Sequence, residues 1–375
     1  MYRDGSRENQ VLSTGTASPK AAAKLADLDP DRRLRLDKTP PSFLAGLRWG
    51  KRPVFPNGNP AMCCMLRTPE GSFAVMVGYT ANGTKRPFEV WVNGAEVPRG
   101  LGAIAKSLSM DFRQESLAYA KWKLAKLMTV SGEASFWTPM PPRGEDALVP
   151  SAVAAFAKAV FHACEEMGAF DGVDESSVVE HLMFPEALPT GPQGTIAKRF
   201  DLLDPVSNER FHMVVSEVEL PNGQNRPYEL TFGGHYPKTL DGLAVSLSED
   251  MRVWDPGWAG AKLRQIADFP EYGGAILLRL PWEKKGRTFP SVVAYIATLV
   301  LHRYAELGIL DEEGFAVRGE SALASAVLEA EAPVAQVRTM RGGRRCPKCG
   351  NLSVVPYDGC EVCRNPGCDW IGSCG

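Results

Sequence analysis

One order of residues occurs twice in this chain, about 140 positions apart, and no other feature restricts its fold so strongly. Asn82-Gly83 with Arg86-Pro87-Phe88-Glu89-Val90 returns as Asn222-Gly223 with Arg226-Pro227-Tyr228-Glu229-Leu230, and Gly94 returns as Gly234. Ser107-Leu108-Ser109-Met110-Asp111-Phe112-Arg113 returns, one residue out of step, as Ser246-Leu247-Ser248-Glu249-Asp250-Met251-Arg252. Pro150-Ser151 matches Pro290-Ser291, and His162, Glu166, Gly168 and Asp171 match His302, Glu306, Gly308 and Asp311. The pattern calls for two tandem copies of one folding unit.

Each copy reads as a small α+β unit. Phe73 to Tyr79 and Phe211 to Leu220 have strand character, Asn-Gly supplies the turn, and Phe88 to Val92 and Tyr228 to Phe232 return as second strands. Amphipathic helices are expected over 101–113 and 240–252. The last helix of each copy is the clearest. Val153, Phe156, Ala157, Val160, Phe161 and Cys164 fall at helical spacing, as do Val293, Ile296, Ala297, Val300, Leu301 and Tyr304. Ser151 and Ser291 are the expected N-caps, and Gly168 and Gly308 the expected left-handed C′ residues.

The repeated polar residues offer little chemistry. His162 with Glu166, and His302 with Glu306, share a helix face and are expected to steady packing rather than to act as acid and base. Asp111 with Arg113, and Asp250 with Arg252, could face a phosphate; the expectation is solvated or intramolecularly paired charges. Glu89 and Glu229 are expected to face solvent or to pair with the arginine before them. No phosphate loop, HExxH helix or nucleophile elbow is present in either copy.

Chemistry concentrates in the tail. Six of the nine cysteines lie in the last thirty residues: Cys346, Cys349, Cys360, Cys363, Cys368 and Cys374. Cys346-x2-Cys349-Gly350 is the knuckle of a zinc ribbon, whose glycine permits the turn around one metal. A tetrahedral site takes four thiolates and leaves two, so a metal site plus a redox pair is expected. The second knuckle is assigned to Cys363 and Cys368, with Asn365-Pro366-Gly367 turning between them and Trp370 beyond; Cys360 and Cys374 are then spare. The alternative gives Cys360 and Cys363 to the metal and leaves Cys368 and Cys374.

A net charge of −2 weighs against a nucleic-acid binder, and 44% apolar residues suffice for a sizeable core. The chain shows no secretory signal and no apolar run long enough to span a membrane, so no membrane partner is expected. With Cys63, Cys64 and Cys164 scattered elsewhere, the thiols fit a reducing cytoplasm.

The segment Gly83 to Gly94, with Arg86-Pro87-Phe88-Glu89-Val90 and Asn93-Gly94, then a helix and Pro150-Ser151, resembles the accessory TSCPD domain. That domain is found near the C-terminus of class II, adenosylcobalamin-dependent ribonucleotide reductases. Those chains also end in a Cys-Pro-x-Cys-Gly knuckle, a Gly-Cys-x-x-Cys element and a final Cys-Gly; here these are Cys346-Pro347-Lys348-Cys349-Gly350, Gly359-Cys360-Glu361-Val362-Cys363 and Cys374-Gly375. The resemblance covers roughly residues 70–311 and 346–375. It implies that Cys360 and Cys374 are the thiols that re-reduce the reductase active site, and that Cys346, Cys349, Cys363 and Cys368 hold Zn2+. The family spaces its last knuckle differently, as Cys-x-x-Cys-Gly-Tyr-Ser-x-Cys, so the pairing stays open. No radical barrel or cobalamin site is recognisable, so the resemblance implies an accessory component of a split enzyme. Its partners would be the catalytic subunit, which carries adenosylcobalamin, and thioredoxin or glutaredoxin. A non-catalytic zinc-ribbon binding or regulatory protein is the other expectation.

The resulting layout is a flexible arm over 1–50, a first TSCPD-like repeat over 51–171, a linker over 172–204 and a second repeat over 205–311. A flexible tether over 312–345 then carries the zinc ribbon of 346–375.

Overall fold

The structure, a computed structural model, describes residues 49–81, 83–175, 182–183, 196–204, 208–219, 225–271, 274–317, 344–349, 352–357, 360–363, 365 and 368–374. It is a mixed α/β chain of small antiparallel sheets in two compact units, Met1–Ala324 and Ser325–Gly375. Most of the expected arm and tether, 1–48 and 318–343, lies outside the described residues.

In the first unit one succession of elements runs twice. The first run is β1 (Ala61–Thr68), β2 (Gly71–Thr80), β3 (Arg86–Asn93), α1 (Leu101–Asp111), α2 (Ala118–Leu127), β4 (Phe136–Met140), β5 (Glu145–Val149) and α3 (Ala152–Glu166). The second is β6 (Ala197–Leu203), β7 (Arg210–Glu219), β8 (Asn225–Gly234), α4 (Leu240–Arg252), α5 (Pro256–Ala267), β9 (Ile276–Leu278), β10 (Arg287–Phe289) and α6 (Val292–Glu306). β1-β2-β3 and β6-β7-β8 are antiparallel sheets, and both show a register shift on the central strand, at Gly78/Tyr79 and Ser216/Glu217. The inward faces (Leu66, Phe73, Val75 and Val77; Phe200, Leu202, Met213 and Val215) join α3 and α6 in one continuous apolar core.

Both long helices start and stop on the residues their sequences supply. Ser151 Oγ accepts from Ala154 N and Ser291 Oγ from Ala294 N, each at 3.0 Å. Gly168 and Gly308 follow at φ 67° and 70°, where a side chain would be strained. Eight elements of the first unit were not anticipated: β1, α2, β4, β5, β6, α5, β9 and β10. In β1, apolar residues on both faces hide the alternation, with Cys63 exposed and Cys64 half-buried. In β6, only Phe200 and Leu202 mark the inner face among charges, so this strand falls inside the stretch read as a linker. Helices α2 and α5 have their lysines where a solvent face would be read. Trp49, at the edge of the expected arm, packs edge-on against Trp258 with ring centroids 5.1 Å apart.

The repeated motif residues take structural posts. Ser109 Oγ accepts from Val90 N at 2.8 Å and donates to Ala105 O at 2.8 Å; Ser248 Oγ accepts from Leu230 N at 2.9 Å and donates to Ala244 O at 2.7 Å. Each serine thus pins helix to strand. Arg86 donates to the carbonyls of Gln114 and Glu115, and Arg226 to those of Val253 and Trp254. Glu89 is buried and receives Arg52 Nε at 2.7 Å; the expected solvent position or Arg86 pairing is not found, because the strand turns it toward Gly78.

Of the two expectations for Asp111 and Asp250, solvated or intramolecularly paired, the structure shows the second, with lysines the sequence had not singled out. Both are fully buried with Lys123 and Lys262, at 0% side-chain exposure for all four. Lys123 Nζ lies 2.7 Å from Asp250 Oδ2 and 3.4 Å from Asp111 Oδ2. Lys262 Nζ donates to Asp111 Oδ1 and stands 3.8 Å from Asp250 Oδ1. Tyr119 Oη and Trp258 Nε1 donate to Asp250 Oδ1 at 2.9 and 3.0 Å. Burial lowers the Lys262 ammonium to about 8 and raises the Asp111 carboxyl. Burial works the same way on Asp250, but Lys123 and Lys262 overcome it and hold that carboxyl below its usual range.

Two outcomes are expected. Ser109→Ala or Ser248→Ala leaves a buried strand N–H unpaired and should cost about 1–3 kcal/mol in chemical denaturation. Lys262 is protonated in the unfolded chain up to about pH 10 but loses its proton near pH 8 when folded. The unfolded state therefore binds more protons in that window, and stability should rise with pH across it. Denaturation midpoints measured across the window should show the rise, and Lys262→Met should flatten it.

Candidate metal centre

The second unit is a four-stranded antiparallel sheet of β11 (Arg344–Arg345), β12 (Leu352–Tyr357), β13 (Cys360–Cys363) and β14 (Ile371–Cys374), in that order. Two thiols come from the knuckle after β11 and two from the β13–β14 hairpin. Cys346, Cys349, Cys363 and Cys368 bring their sulfurs within 4.8 Å of one another. Cys346 Sγ lies 3.8 Å from Cys368 Sγ, and Cys349 Sγ lies 3.7 Å from Cys363 Sγ. A tetrahedron with Zn–S near 2.3 Å has S···S edges of about 3.8 Å, so the spacing suits one tetrahedral ion. None of the four is in a disulfide.

Local backbone holds the ligands. Lys348 N donates to Cys346 Sγ at 3.4 Å, as a knuckle amide does. Cys368 N donates to Asn365 O at 3.0 Å, closing the turn after β13, and Cys363 N donates to Trp370 O at 3.0 Å. Cys346, Val354 and Cys363 form the buried centre of this unit, with Trp370 packed against it. The apolar component is small, which fits a unit that draws its stability from a metal.

The remaining tail cysteines stand apart. Cys360 is disulfide-bonded and lies opposite Cys374 in the β13–β14 register. Cys360 and Cys363 are three positions apart along β13, about 10 Å from Cα to Cα.

Other sequence-flagged residues form no site with these. His162 Nε2 is 3.5 Å from Glu166 Oε1, and His302 Nε2 is 3.5 Å from Glu306 Oε1. Glu306 is also engaged by Arg303 at 2.9 Å and Lys198 at 3.4 Å, and His302 stacks on Trp282 with centroids 3.4 Å apart. Cys164 is buried, which pushes its thiol up, and burial followed by the neighbouring Cys63 does the same to Cys64. Lys123 and Lys262 are the polar residues that sequence reasoning missed. Their signal was the matching offset of 139, which also pairs Asp111 with Asp250.

Neither protein-family models, curated proteins nor solved structures match this chain. Among the described residues no helix is long and apolar enough to cross a membrane.

The four-sulfur arrangement predicts one tightly bound zinc per chain, measured by metal analysis of purified protein. Cys346→Ser should abolish stoichiometric binding and expose the tail to proteolysis while the first unit keeps its melting transition.

Proposed function

We propose that the chain is an accessory, electron-delivering component of a split adenosylcobalamin-dependent ribonucleotide reductase. In this reading the first unit is a tandem duplication of a TSCPD-like domain, which docks on the catalytic subunit. The tail is a zinc ribbon that carries a thiol pair. One observation supports the reading: the six tail cysteines divide into four, none in a disulfide, whose sulfurs lie close together, and a disulfide-bonded Cys360 at the far end of β13 from Cys363, in register with Cys374. A purely structural ribbon has no use for that second set.

Zinc, when bound to Cys346, Cys349, Cys363 and Cys368, holds the ribbon folded and takes no part in electron transfer. The reduced pair, Cys360 and Cys374, attacks the disulfide left in the partner's active site and forms a mixed disulfide. The second tail thiol resolves it. Two electrons and two protons pass to the partner, whose thiols are restored as the tail disulfide forms. Thioredoxin or glutaredoxin then reduces the tail, and adenosylcobalamin and the radical chemistry belong to the catalytic subunit.

Purified chain, oxidised and then treated with thioredoxin, should gain two titratable thiols without losing zinc, and Cys360→Ser should gain none. With the catalytic subunit, Cys360→Ser or Cys374→Ser should lose thioredoxin-driven turnover while dithiothreitol-driven turnover survives. A wild-type tail that thioredoxin never reduces would leave a structural zinc-ribbon protein as the better account.

A further inference from the structure

We infer that the surfaces by which the two halves of the first unit meet are self-complementary. Each half is built to mate with a second copy of itself, and within this chain the other half takes that copy's place. The inference is independent of the role of the tail.

Two sets of contacts carry it. The first is the crossed ion pairing. The close lysine–aspartate contacts run between halves, Lys123 to Asp250 at 2.7 Å and Lys262 to Asp111 shorter still, whereas the contacts within a half are 3.4 Å and 3.8 Å. Lys123 and Lys262 occupy matching positions, as do Asp111 and Asp250, so position i meets j and j meets i. That reciprocity defines an isologous interface.

The second is the helix arrangement. α1 packs on its own counterpart α4, while α1 also meets α5 and α2 meets α4, the crossed contacts a twofold relation produces. Tyr119 and Trp258, at matching positions, depart from the twofold relation: Tyr119 reaches Asp250 across the halves and Trp258 reaches the same Asp250 within its own.

The charges make the surface selective as well as complementary. All four groups are cut off from water, so a slipped register would leave a buried ammonium facing an ammonium, or one with no acceptor. Apolar packing alone would tolerate such a slip more readily. The same key would fit a second half with this sequence, wherever it came from.

The test compares double variants of equal charge in the full-length chain. Lys123→Met/Asp250→Asn removes one crossed pair and keeps the other. Lys123→Met/Asp111→Asn breaks both and leaves Lys262 without its close partner. The first should melt about 10 °C above the second. The mirror comparison, Lys262→Met/Asp111→Asn against Lys262→Met/Asp250→Asn, should show a gap of the same sign, because the interface is reciprocal. Equal melting within a comparison, including failure of both members to fold, overturns the inference. A gap in one comparison but not in its mirror overturns it too.

Discussion

Four buried charges at the middle of the first unit set the terms for everything around them. Two ammonium and two carboxylate groups, all withdrawn from water, are tolerable only when each has an opposite charge at contact distance. The helices that carry them are therefore fixed in relation to one another. α1 and α4 supply the aspartates, α2 and α5 the lysines, and the sheets are tied to the same helices by Ser109 and Ser248. The apolar core supplies most of the stabilisation and the charges decide where its pieces go. A half with a hydrophobic surface of similar area but no such charges would have several near-equivalent ways to dock.

The two units rest on different physics. The first has enough apolar surface to fold around a core that runs through both halves. The second has a three-residue buried centre, two of whose members are cysteines. Such a segment has little apolar stabilisation of its own, and four of its cysteines bring their sulfurs close enough to hold one metal ion. A metal bound there would tie the fold of the tail to metal supply, on which the first unit does not depend.

Much of this was legible in the chain. Ser151, Ser291, Gly168 and Gly308 announced both long helices, because caps act locally and need no knowledge of the fold. The tail cysteines were legible for the same reason, since a knuckle is a short-range device. Strand β6 was obscured because two inward apolar residues among Lys198, Arg199 and Asp201 carry too weak an alternation. Lys123 and Lys262 were obscured for a different reason. A lysine on an amphipathic helix reads as solvent-facing unless its buried partner is known, and that partner lies 127 residues away for Lys123 and 151 for Lys262. For Asp111 and Asp250, which the repeat had marked, intramolecular pairing was legible but the partners were not.

The β13–β14 hairpin has Cys363 and Cys368, two of the candidate metal ligands, at the turn and Cys360 at the opposite, open end. Six residues of chain run from Cys368 to Cys374. A metal held at the turn would clamp only that end, so the strand ends that carry Cys360 and Cys374 would fray before the turn opened.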